Sequence, residues 1–127
     1  MARKKSPTLT EAELRLMDVL WRRENATVSE VVEALGDPPL AYNTVLTTLR
    51  ILETKGYVKH RAVGRAFVYE PKIDRDEARS SVIDYVVSRF FDNSPRELML
   101  KLLDTEEISE TEARRLRSLL KKDERTR

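Results

Sequence analysis

Tyr42–Pro71, YNTVLTTLRILETKGYVKHRAVGRAFVYEP, places an amphipathic helix directly ahead of a basic strand pair turned on a glycine. In its first half Val45, Leu49 and Leu52 fall on one side of a helix and Asn43, Thr47 and Arg50 on the other. That helix is expected from about Ala41 to Lys55, and Gly56 suits the left-handed residue that ends it. The pattern then changes to strand: Tyr57 to Ala62, a turn at Val63-Gly64-Arg65, and Ala66 to Tyr69 before Pro71. β-Branched and aromatic residues around a glycine-containing turn are the signal of a hairpin. Helix followed at once by basic hairpin predicts a winged helix-turn-helix, mainly α with a small β wing.

Outward from this stretch, helix starts are legible because a Ser, Thr or Asp followed three residues later by Glu satisfies free backbone donors in both directions. Five such pairs occur: Thr10/Glu13, Thr27/Glu30, Asp74/Glu77, Ser94/Glu97 and Ser109/Glu112. Thr10 opens a first helix with Leu14, Met17, Val19, Leu20 and Trp21 expected on its core face. Thr27 opens a short second helix stopped by Gly36 and Pro38-Pro39. Beyond the hairpin three more helices follow, from Asp74 to about Phe91, from Pro95, and from Ser109 to about Lys122, with Lys121 to Arg127 expected to fray. The predicted organisation is a winged helix-turn-helix over residues 1–73 and a helical region over residues 74–127.

At 127 residues the chain suits one domain or one small domain with an appendage. A net charge of +2 says little, but its distribution says more. Residues 40–73 carry six basic side chains against two acidic ones, a local +4, whereas the chain from Asp74 onward carries a net −1. Positive potential concentrated on the helix and wing is the footprint of a phosphate-facing surface. The absence of cysteine excludes disulfides and thiol chemistry and fits a reducing compartment. No apolar run is long enough to span a bilayer, and no apolar core follows Ala2-Arg3-Lys4-Lys5, so a soluble cytoplasmic protein is expected.

In a helix-turn-helix the second helix of the motif reaches base edges in the major groove. Here that helix offers Asn43, Thr44, Thr47 and Arg50, with Tyr42 at its start. Amides and arginine suit purine edges, and threonine methyls suit thymine. Alternatively these are polar residues on a solvated face. Lys59, Arg61 and Arg65 are expected beside the phosphate backbone, where contacts position without specifying sequence. His60 is either an ordinary strand residue or a further wing contact, and as the sole histidine it leaves no His-rich metal site or triad. No nucleophile motif or phosphate-cradling glycine loop occurs, and Asp74, Asp76 and Glu77 match the acidic first turn of a helix. An enzyme, a metal or a cofactor is therefore not expected.

The last three helices present Val82, Ile83, Val86, Val87, Phe90 and Phe91, then Leu98 and Leu102, then Leu116 and Leu119. Three helices of this size bury only a modest core, which points to a homodimer; the alternative is that they fold back on the same chain. A dimer also suits a two-fold symmetric, palindromic DNA site. The competing reading of the whole is a winged helix used as a protein-interaction module without sequence-specific DNA binding.

These residues resemble a known family, the penicillinase repressors of the BlaI/MecI type. The resemblance runs from Leu9-Thr10-Glu11-Ala12-Glu13 and Leu20-Trp21, through Asn43-Thr44-Val45-Leu46-Thr47-Thr48-Leu49, Glu53-Thr54-Lys55-Gly56 and Gly64-Arg65-Ala66, to the final helices. It implies a homodimeric transcriptional repressor acting on palindromic operators. It also implies release by a membrane-bound sensor metalloprotease, with cleavage in the fifth helix. The family's cleaved Asn-Phe pair falls on Lys101-Leu102, and that departure leaves room for another protease specificity or another signal. The related copper-responsive repressors carry a C-terminal cysteine cluster, which this chain lacks.

Overall fold

A computed structural model describes residues 8–105 and 107–125, with side chains as far as Lys121. The basic opening Ala2–Lys5 and the last two residues lie outside the described residues. The elements follow in the order α1 (Glu11–Arg23), β1 (Ala26–Thr27), α2 (Val28–Leu35), α3 (Tyr42–Lys55), β2 (Val58–Val63), β3 (Ala66–Pro71), α4 (Arg75–Phe90), α5 (Pro95–Leu103) and α6 (Glu110–Arg125). The chain divides after Val82, within α4, into two compact units.

Thr10 and Thr27 form full capping boxes with Glu13 and Glu30, and Asp74 and Glu77 exchange the same two bonds at the start of α4. At Ser94 and Ser109 the hydroxyl accepts from the N–H three residues on, at 3.2 Å in each case. The N–H of Ser94 donates to Phe91 O instead of returning to a glutamate. Of the segment expected to fray, Lys121 to Arg125 are helical, since α6 continues to Arg125. Lys and Arg lose little rotamer freedom in a helix, so a charged run of this kind does not stop one.

In the first unit α1, α2 and α3 pack around Leu16, Met17, Leu20, Val31, Val45, Leu49 and Leu52, all without solvent exposure. The sheet is antiparallel in the order β1-β3-β2, and it closes the core with Ala26, Val58 and Tyr69. Strand β1 was not expected. Its two residues carry no periodicity, and they become a strand only because Tyr69 and Val68 of β3 lie opposite them.

The core face of α1 also differs from the expected stripe. Leu14 is 39% exposed, while Leu16, one helical ridge away, is fully buried. The inward ridge runs Glu13, Leu16, Met17 and Leu20, at spacings of three and four residues. A charged residue holds its first position because Lys55 Nζ donates to Glu13 Oε1 at 2.8 Å, as does Thr10 N–H. Trp21, expected in the core, is half-buried: its Nε1–H donates to Ile73 O at 3.0 Å, and the Arg75 guanidinium stands 4.8 Å over its ring. Arg75 also pairs with Asp18 at 3.1 Å, which joins the start of α4 to α1.

The second unit holds the rest of α4 with α5 and α6. Asp92 and Asn93, both at positive φ, turn the chain between α4 and α5, a conformation these two residue types tolerate better than most. Leu103 and Ala113 are buried where α5 meets α6, and Arg117 of α6 reaches Asp104 at 3.2 Å.

Candidate nucleic-acid interface

Helix α3 begins after Ala41, whose extended backbone caps it without a side-chain hydrogen bond, and ends on Gly56 in the left-handed conformation at φ 87°. Its buried side is Val45, Thr48, Leu49 and Leu52. Thr48 sits on that side because its Oγ1–H is satisfied by Thr44 O at 2.7 Å. Spacings of three and four residues then put Asn43, Thr47, Arg50 and Thr54 on the opposite side, and all four are exposed. Tyr42, half-exposed at the first turn, and exposed Thr44 flank that face. The structure thus brings together the five α3 residues predicted from the sequence. It adds Ile51, exposed one turn beyond Thr47, a residue that the sequence analysis did not single out.

The wing is a hairpin with a two-residue turn, Gly64-Arg65, between the paired ends Val63 and Ala66. Gly64 has φ 60°, the first-position positive φ that a tight hairpin turn demands and that glycine supplies without steric cost. Arg65 is carried at this exposed tip. Strand alternation places Lys59 and Arg61 on one face of β2 and His60 on the other. The cations are not equivalent. Lys59 stands opposite Glu70 in the register and pairs with it at 3.7 Å, whereas Arg61 and Arg65 are exposed with no acidic partner across the strand pair.

His60 does not join the cationic face. Its Nδ1 lies 2.8 Å from both carboxylate oxygens of Glu53 near the end of α3, where the tautomer with its hydrogen on Nδ1 donates to the carboxylate. The imidazole stands edge-on to Phe67, with centroids 5.0 Å apart, and tilted on Tyr69 at 5.3 Å. Tyr69 is buried, and burial raises its phenol above its ordinary value; the Glu53 carboxylate adds to the rise, while Arg50 works against it. The sequence reading missed this junction, since nothing local marks Glu53 and His60 as partners across a helix end and a strand.

Of the residues predicted for dimer contact, Phe90 is 73% exposed, and Ile83, Leu102, Leu116 and Leu119 are exposed as well. Val82, Val86, Phe91 and Leu98 are half-buried. Val87 is already buried within one chain, so it is not free for a partner surface. Met99, Leu102, Leu103, Ile108, Leu116, Leu119 and Leu120 line an apolar groove of about 340 Å³ between α5 and α6. Lys101 and Leu102 lie on exposed positions in the last turn and a half of α5. Among the described residues no three His, Cys, Asp or Glu side chains converge as metal ligands, and no helix is long and apolar enough to cross a membrane.

The pattern of the penicillinase repressors matches residues 9–122. The penicillinase repressor of Bacillus licheniformis is 30% identical over 118 residues, covering 92% of each chain. The transcriptional regulator BlaI of Mycobacterium tuberculosis is 36% identical over 94 residues, covering 72% of this chain and 68% of the relative. The solution structure of the DNA binding domain of the repressor BlaI superposes with a TM-score of 0.51 at 36% identity, covering 59% of this chain and 93% of that one. With a match that spans nearly its whole length, the chain belongs to the penicillinase repressor family.

Proposed function

We propose that this chain is a DNA-binding transcriptional repressor that acts in the cytoplasm as a homodimer on a two-fold symmetric operator, and is not an enzyme. The observation that carries the reading is the exposed face of Asn43, Thr47 and Arg50 on α3, followed at once by a hairpin whose Arg61 and Arg65 are exposed. A helix of this width enters the major groove, where an amide near its start, Asn43, and a guanidinium further along the same face, Arg50, meet base edges. Arg61 and Arg65 then take phosphates, with Lys59 a weaker contributor because Glu70 competes for it. Residues 1–73 serve DNA contact and residues 74–127 dimerisation. Support for the division of labour comes from the likeness of 59% of this chain to the BlaI DNA binding domain, which leaves a substantial part of the chain outside that match.

Dimerisation is supported by the large apolar side chains that the second unit leaves exposed, Phe90 foremost, and by its groove of wholly hydrophobic side chains. Release of the operator by cleavage at Lys101-Leu102 is the corresponding proposal for regulation, with a membrane-bound sensor metalloprotease as the partner that starts it. That bond lies within α5, so a protease that binds extended backbone acts only on a locally opened helix.

Selection of bound duplexes from a random pool at near-physiological salt, followed by footprinting, tests the reading. A two-fold symmetric site about one helical turn between half-site centres is expected. A folded, dimeric protein that enriches no motif refutes sequence-specific repression and returns the winged helix to a protein-interaction role.

A further inference from the structure

Beyond Val58, every residue of β2 from Lys59 to Val63 is exposed, and so are Ala66 and Phe67 of β3. The outer half of the wing therefore has no core beneath it, and a bare two-stranded ribbon is only marginally ordered. At the boundary between the anchored and the free part stands His60. Its Nδ1 lies 2.8 Å from both oxygens of Glu53, its ring is set edge-on to Phe67, and its cross-strand neighbour is the buried Tyr69.

We propose that His60 is a positioning residue: held on the Glu53 carboxylate, its imidazole locks the wing to α3 and so sets where Arg61 and Arg65 lie relative to the reading face. This rests on the DNA-binding reading of the wing given above. Glu53 follows Arg50 by three residues, so the clamp is made to the same rigid helix that presents Asn43 and Thr47. With His60 turned toward α3, strand alternation turns Lys59 and Arg61 to the opposite face, and a hairpin freed of the clamp lets both swing. An arginine that must be ordered at the moment of binding costs affinity that an already placed one does not. Both clamp side chains are about one-third exposed, 36% for His60 and 34% for Glu53, so the bond has little to do with keeping the unit folded.

The test uses the full chain with two probes, the duplex enriched from the random pool and a scrambled duplex of the same length. His60→Ala is expected to weaken binding to both by a similar factor, about three- to tenfold, on the scale of one or two side chains ordered on binding. Glu53→Ala should match it, and the double variant should be no worse than either. In an Arg61→Ala/Arg65→Ala background His60→Ala should cost little further, since only Lys59, already engaged by Glu70, remains to be placed, an outcome that a merely structural histidine would not produce. Glu53→Gln keeps an acceptor, should retain most of the affinity, and serves as the folded comparison if an alanine variant unfolds. Additive losses from His60→Ala and Glu53→Ala, or a His60→Ala loss that persists without the two arginines, overturn the clamp. Failure of the underlying reading looks different: Arg61→Ala/Arg65→Ala would then bind both duplexes as the parent does.

Discussion

Replacing Lys55 by Met removes the cation beside Glu13 while keeping a side chain of similar length at the end of α3. In the intact protein the Glu13 and Lys55 side chains are 5% and 19% exposed, with Nζ 2.8 Å from the carboxylate and 3.3 Å from Thr8 O. Taking one partner from a buried pair costs about 3–5 kcal/mol, most of it the charge left behind. Glu13 keeps the Thr10 N–H, and the Lys55 end of the pair reaches solvent, so the expected loss lies below that range, at about 2–3 kcal/mol at pH 7. The pH dependence identifies the cause. Burial works against the charged form of Glu13, but hydrogen bonds from Lys55 and Thr10 and the Lys55 charge outweigh it and hold the carboxyl below its ordinary value. A lowered folded value means stability that is present above the unfolded carboxylate value and lost as pH falls through the folded one. In Lys55→Met burial is opposed by fewer partners, the folded value rises, and protonation relieves the defect. The gap between parent and variant should therefore be widest near neutrality and narrow on acidification from about pH 5 to 3. Urea unfolding at one protein concentration, followed by Trp21 fluorescence, measures it at each pH. A loss under about 0.5 kcal/mol at pH 7, or one that stays constant through that interval, would refute the assignment of Glu13 as a buried charge held by Lys55.

Arg61→Ala and Arg65→Ala should each flatten the log–log dependence of DNA affinity on salt by about 0.9, and Lys59→Ala by less because Glu70 already engages it; a Lys59 effect equal to the others would show that the ion pair opens on binding. Asn43→Ala and Thr47→Ala should leave that slope alone and reduce discrimination between the selected operator and a mutated one by about 1–3 kcal/mol per lost contact, measured by competition binding. Phe90→Asp should fold normally, since the side chain is largely exposed, yet give monomers by light scattering and lose operator affinity; a persisting dimer would place the interface elsewhere. Leu49→Ala, fully buried where α3 meets the core, should cost about 2–5 kcal/mol in unfolding free energy.

What the sequence by itself determined lies where a few neighbouring residues settle the conformation. Thr or Asp followed three residues later by Glu satisfies the first N–H groups of α1, α2 and α4 from within one turn, so those starts were readable without a partner. Gly56 and Gly64 mark the two positive-φ positions that end α3 and turn the wing, and the exposed side of α3 follows from helical period once Val45, Leu49 and Leu52 are known to be inside. The remainder depended on residues distant along the chain. Glu13 points into the core and Leu14 out of it because Lys55, forty-two positions later, supplies the charge that makes a buried carboxylate tolerable. Strand β1 exists only against β3, Lys59 is engaged only because the register sets Glu70 opposite, and His60 faces α3 only because Glu53 and the buried Tyr69 receive it. Local hydrogen bonds and periodicity act within one turn or two strand residues, whereas the pairing of charges and strands is set by which distant segments the packed core brings within reach.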